Sequence, residues 1–146
     1  MRLHIPVHFP LLAALVLLAL VTAPAIASTD VVGQWRTIDD ETGQPKSIVE
    51  IYEKNGLVYG KVVRLLQKPQ DTVCEKCPGD LKGKKLVGMD VVTRMRKVDG
   101  RYEEGQIMDP ISGKVYGCKM WREGNMLKVR GYIGPFYRTQ VWQKVQ

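Results

Sequence analysis

The three cysteines of this 146-residue chain, Cys74, Cys77 and Cys118, have the widest choice of chemistry. Cys74 and Cys77 form a C-x-x-C, a spacing shared by dithiol redox pairs, half-sites for zinc and local disulfides. A redox pair wants the N-terminus of a helix after a strand, where the helix dipole lowers one thiol pKa. Here Pro78-Gly79-Asp80 follows, and no βαβ pattern surrounds it. Zinc wants four ligands. No second C-x-x-C exists, so only Cys118 and Asp80 are at hand to complete a site. A disulfide wants an oxidising compartment. Three cysteines are an odd number, so one thiol is left over. Three readings follow. Cys74–Cys77 staples a loop while Cys118 is a small buried apolar residue. Alternatively a loop cysteine joins Cys118, or the pair does redox or metal chemistry.

The histidines bear on the same question. His4 and His8 are the only two, and both lie in the first ten residues. That segment is basic through Arg2, and an unbroken apolar run, Leu11–Val21, follows it. Then come Pro24 and the small residues Ala25 and Ala27 in an A-x-A pattern. This is the layout of a cleavable secretory signal. The run is shorter than the roughly 20 residues a membrane span needs, and Ser28 rather than cysteine follows the cut, so neither a transmembrane nor a lipid anchor is expected. Residues 1–27 are thus expected to be removed, leaving residues 28–146 as one domain in the periplasm, or secreted. That domain has 119 residues, no histidine and a net charge of +6 in place of +7. Losing the imidazoles disfavours Ser-His-Asp and Cys-His catalysis. No catalytic, metal or cofactor motif stands out.

The positive charge is clustered at Lys82, Lys84 and Lys85, and at Arg94, Arg96 and Lys97. In an exported protein the polyanions within reach are anionic lipids and envelope polymers rather than nucleic acid. A simple solvated surface explains the charge as well.

The elements that must position these residues are short strands between turn dipeptides. Apolar residues alternate with polar ones, and no stretch after residue 28 has a helical period. Strands are predicted at 33–38, 46–53, 57–66, 86–97, 101–108, 114–122, 126–133 and 138–145. Asn55-Gly56, Asp99-Gly100 and Gly124-Asn125 suit tight hairpins. The segment 67–85, with both loop cysteines, is the longest irregular stretch. Eight strands joined by hairpins make an antiparallel meander, which can close into an up-and-down barrel and so lose its exposed edges. The fold class is therefore all-β, with a sandwich as the competitor. An eight-stranded barrel is wide enough to be filled by side chains or to hold one small ligand.

Gly33-Gln34-Trp35 on the first strand and Arg138 on the last resemble the lipocalin and calycin pattern. In that group a Gly-x-Trp packs against an arginine and closes the base of the barrel. Over nearly the whole of residues 28–146 the chain resembles the bacterial domain-of-unknown-function family 2147, small exported lipocalin-like proteins. The motifs are Cys74-Glu75-Lys76-Cys77-Pro78-Gly79-Asp80-Leu81-Lys82 and Asp109-Pro110-Ile111-Ser112-Gly113-Lys114-x-Tyr116-x-Cys118-Lys119-Met120. Arg130-Gly131-Tyr132-Ile133-Gly134 and Arg138-Thr139-Gln140-x-Trp142 complete them. The resemblance implies the fold and the export, and no reaction. It also implies that Gly33, Trp35 and Arg138 close the barrel.

The function expected from these residues is non-enzymatic binding of a small, mainly apolar or amphipathic ligand inside the barrel or at its mouth. The candidate ligand residues are Tyr59, Met89, Met108, Tyr116, Met120 and Arg130. Two alternatives remain: an interaction module with a packed barrel that docks an envelope protein, and a thiol redox role for Cys74 and Cys77.

Overall fold

A computed structural model of the protein describes residues 30–146. The expected signal lies outside the described residues. The eight strands are β1 (Gly33–Ile38), β2 (Pro45–Lys54), β3 (Leu57–Leu65) and β4 (Asp90–Val98), then β5 (Arg101–Met108), β6 (Val115–Glu123), β7 (Met126–Ile133) and β8 (Phe136–Lys144). Each pairs antiparallel with the next, and β8 returns to β1 through Trp35↔Lys144 and Arg36↔Gln143. The sheet is a closed barrel, and closure leaves no strand with an unpaired edge.

Local chemistry explains the meander. Asn55 and Gly56 have φ of 52° and 74°, and Asp99 and Gly100 have 48° and 78°. Both pairs occupy the left-handed region that a type I′ turn requires, and Asn, Asp and Gly tolerate it best. Between turns, side chains alternate in and out. Leu127 and Val129 of β7 are buried, whereas Lys128 and Arg130 are half-buried on the outer face. On β6 the inward positions are Tyr116, Cys118 and Met120.

The strand bounds agree with the sequence reading within a residue or two, except at β4. That strand begins at Asp90 rather than Leu86. Leu86 and Met89 belong instead to the long β3–β4 connection, where Leu86 N–H donates to Thr72 O and Met89 N–H to Leu86 O. This connection is ordered by its own bonds. Val73 bridges Lys85, Cys74 and Cys77 form a disulfide, and Gly79–Leu81 makes one 3-10 turn. It lies against the β5–β6 turn, where Gly113 has φ +72° and a Cβ would collide with the Lys76 carbonyl. Only glycine suits both the torsion and the approach.

The two ends differ. At the base, Val31 and Trp35 are fully buried, and the Trp35 indole Nε1–H donates to Val31 O at 2.7 Å. Above this plug Ile51, Met95, Met120 and Leu127 fill the lower half of the barrel. The other end carries the β1–β2, β3–β4, β5–β6 and β7–β8 connections, and it is open.

Candidate functional site

A cavity of about 560 Å³ runs inward from the open end. This falls within the range of small-molecule pockets, roughly 300–1,000 Å³. Its walls differ in chemistry. On one side Val62, Val91, Ile107, Met108 and Tyr116, from β3 to β6, present carbon. Opposite, β8, β1 and β2 contribute a polar strip, Thr37, Ser47, Arg138 and Gln140, interleaved with Ile38 and Val49.

The strip begins at the rim. The Arg138 guanidinium lies 3.0 Å from Asp40 Oδ2, and Gln140 Nε2 donates to the same oxygen at 2.9 Å. Gln140 Oε1 in turn accepts the Trp142 indole N–H at 3.1 Å. Arg138, Gln140 and Trp142 are alternate residues of β8, so all three share its inward face. Deeper lies a buried hydroxyl pair. Thr37 Oγ1 and Ser47 Oγ are 2.7 Å apart, and Thr37 Oγ1 also accepts the Ser47 backbone N–H at 3.1 Å. Thr37 is 8% and Ser47 9% exposed, the two buried polar residues among the described ones.

Charges at the mouth are unequally engaged. Asp109 folds back on its own turn, accepting from Ile111 N–H at 3.0 Å and Ser112 Oγ at 2.7 Å. Asp40 is held by Arg138 and Gln140. Lys46 lines the cavity and makes no ion pair with a described residue. A guanidinium has five N–H donors, and Asp40 leaves most of those on Arg138 open. The rim beyond is apolar: Ile133 and Phe136 stand exposed at the β7–β8 turn.

Of the residues singled out in the sequence, Met108 and Tyr116 line the cavity. The others are elsewhere. Met120 is fully buried in the lower core, and Met89 packs beneath the long loop, 3.8 Å from Cys77 Sγ. Tyr59 points outward and stacks on Tyr52 with ring centroids 5.8 Å apart. Arg130 is also outside, over Trp121 at 5.1 Å and Tyr137 at 4.3 Å, with Nε donating to Thr139 Oγ1 at 2.8 Å. Strand parity is the reason: Val58, Gly60 and Val62 take the inner positions of β3, and Leu127, Val129 and Gly131 those of β7.

The barrel-closing set changes in one member. Gly33, with φ +129°, and Trp35 are at the base. Arg138 is at the opposite end. Two other cations flank the Trp35 ring, Lys144 Nζ at 4.8 Å and the Arg122 guanidinium at 5.8 Å. Arg138 enters β8 near its upper end, so the strand delivers Lys144 to the base, directly opposite Trp35.

The cysteines adopt the first of their three arrangements. Cys74 and Cys77 are joined and buried, at 1% and 3% exposure. Cys118 is the free thiol, fully buried, and burial pushes its pKa up to about 12. No described residue joins Cys118 to the loop by a covalent bond.

Sequence reasoning missed Thr37, Ser47, Asp40, Gln140 and Trp142. The alternation of Arg138, Gln140 and Trp142 was a usable signal, since three inward residues that can hydrogen-bond are unusual in a core strand.

Comparison with known proteins agrees with this architecture. The chain is similar to the solved structure of protein HP1028 from Helicobacter pylori, described as belonging to the lipocalin family. The TM-score is 0.72 at 20% identity, over 82% of this chain and 85% of that one. At that identity the likeness concerns the fold. No curated protein matches the sequence. Residues 33–144 match the model of DUF2147, described as an uncharacterized protein conserved in bacteria. With that match running from the first residue of β1 to the last of β8, on a closed lipocalin-like barrel, the chain belongs to the DUF2147 family.

Proposed function

We propose that this protein is an exported, non-enzymatic carrier or sensor of a small, mainly apolar ligand, held in the cavity at the open end of the barrel. The cavity is the observation that supports this most directly. Its space is about 560 Å³, and much of its wall is Val, Ile, Met and Tyr side chain. Moving an apolar molecule from water into such a wall gains about 25 cal/mol per Å² of apolar surface buried. A rigid closed sheet holds the site open without a large ordering cost.

Export to a periplasm is part of the same reading. It rests on the composition of residues 1–27 and on a disulfide that an oxidising compartment would preserve. A redox role for the pair is less well supported, because both sulfurs are shielded from a partner thiol, and exchange needs access. The cavity also weighs against the packed interaction module, which has no use for an interior void.

Native mass spectrometry of protein purified from expressing cells tests the reading. A bound species of a few hundred daltons that extracts into organic solvent supports it. A clean apo mass, with no uptake of the apolar dye 1-anilinonaphthalene-8-sulfonate, refutes it.

A further inference from the structure

The cavity has a chemical gradient as well as a volume, and this bears on which apolar molecule it takes. Its cations are at the rim. Lys46 has no ion-pair partner among described residues, and most donors of Arg138 are open. The neighbouring carboxylates are engaged: Asp40 by Arg138 and Gln140, Asp109 by its own turn, and Asp39 by the Glu41 and Thr42 N–H groups, with the charge of Lys46 also acting on it. The lining thus carries two carboxylates and two cations, and the N–H donors left open to an incoming group are those of Lys46 and Arg138.

A second polar point lies deeper. Thr37 is three residues before Asp40 in chain order, and Asp39 and Asp40 already belong to the β1–β2 turn, so the two points are at most about 10 Å apart at the strand rise of about 3.3 Å per residue. Thr37 Oγ1 is committed to Ser47, bonding its N–H and its Oγ. Ser47 Oγ has only Thr37 as a partner among described residues. A serine hydroxyl offers one donor and two acceptor sites. Whichever of the two oxygens supplies the shared proton, Ser47 keeps vacant capacity while being 9% exposed and lining the cavity. A ligand hydroxyl, which both donates and accepts, satisfies either orientation. The facing wall of Val62, Val91 and Ile107 has nothing to offer a polar group.

We infer that the ligand is an elongated amphiphile with an anionic group at its outer end and a hydroxyl further in, no more than about 10 Å from it. The anion meets Lys46 and Arg138, the hydroxyl meets Ser47, and the remaining carbon packs on β3–β6. This rests on the carrier reading and specifies its ligand class.

Isothermal titration calorimetry of the full chain with three probes tests it: stearate, 10-hydroxystearate and the methyl ester of 10-hydroxystearate. About nine carbon–carbon bonds separate the carboxylate carbon from the hydroxyl-bearing carbon in the second probe. The expected result is that 10-hydroxystearate binds about fivefold more tightly than stearate, the yield of one ordinary hydrogen bond. This advantage disappears in Ser47→Ala. The ester, lacking the charge, binds at least fivefold more weakly than its acid, a comparison that needs no variant. Stearate binding as tightly as the hydroxy acid, or the ester as tightly as the acid, overturns the inference and leaves the carrier reading standing. Failure of all three probes and of 1-anilinonaphthalene-8-sulfonate overturns both.

Discussion

Arg138 and Asp40 meet across the mouth of the barrel, guanidinium to carboxylate at 3.0 Å, joining β8 to the β1–β2 turn. Arg138 is 69% and Asp40 29% exposed on their side chains. Exposed pairs of this kind contribute about 0–1 kcal/mol. Arg138→Ala is therefore expected to lower the unfolding free energy from urea titration by less than about 1 kcal/mol. An arginine that closed the base would cost several times more. Equilibrium unfolding of the variant reads the difference.

Trp35 is the contrasting case. It is fully buried at the base, with its indole N–H bonded to Val31 O and cations on its ring. Trp35→Ala is expected to lose about 3–5 kcal/mol. Lys144→Met retains the apolar stem over the ring and is expected to lose less than about 1 kcal/mol, the cation–π share at a partly wet site. Thermal and urea unfolding monitored by circular dichroism will rank the two.

Filling the cavity separates binding from folding. Gly131 is on its wall, and a Cβ there would meet Ile107 Cγ2 and Tyr116 Cβ at 3.5 Å, an ordinary contact. Gly131→Leu is expected to keep the far-ultraviolet spectrum of the barrel and abolish uptake of 1-anilinonaphthalene-8-sulfonate. Retained uptake would place the site elsewhere.

The disulfide closes a very short loop. Chain-entropy arithmetic for about four residues gives roughly 2 kcal/mol. The double variant Cys74→Ser/Cys77→Ser is expected to unfold several degrees lower, read by calorimetry. Stability unchanged in the variant would mean that the loop is held by its other bonds alone, such as Cys74 N–H to Lys84 O and Gly83 N–H to Cys74 O.

Alkaline pH should weaken the fold in a defined window. Burial raises the Cys118 pKa from 9.0 to about 12. Burial, and then the bond to Asp90, raises that of Tyr52 from 10.0 to about 12. Each group favours the neutral form in the native state. The stabilisation is complete below the unfolded pKa values and is lost as pH climbs towards 12. Stability is expected to fall between pH 9 and 12, less steeply in Cys118→Ala. Iodoacetamide is expected to label Cys118 only on unfolding, followed by mass spectrometry.

Much of the fold was legible in the sequence because its determinants are local. Asn55-Gly56 and Asp99-Gly100 take left-handed torsions that few other pairs tolerate, so they mark hairpins wherever they occur. The alternation of Leu127, Val129 and Gly131 with Lys128, Arg130 and Tyr132 fixes which side of β7 faces in. Cys74 and Cys77 are close enough in sequence to meet without help from the fold.

The site depended on relationships that no segment contains. Parity puts Tyr116 and Met120 on the same face, but only height along the barrel separates a cavity wall from a packed core. That height follows from the register in which β8 closes onto β1. Pairing Trp35 with Lys144 brings Lys144 to the base and raises Arg138 to the rim. The same closure brings Gln140 to Asp40 and puts Gln140, Trp142, Thr37 and Ser47, from three strands, on the lining of one cavity. The sequence determined the strands, the turns and the inward residues. Tertiary structure decided which of those residues share a level, because strand pairing is local while barrel closure joins the two ends of the chain.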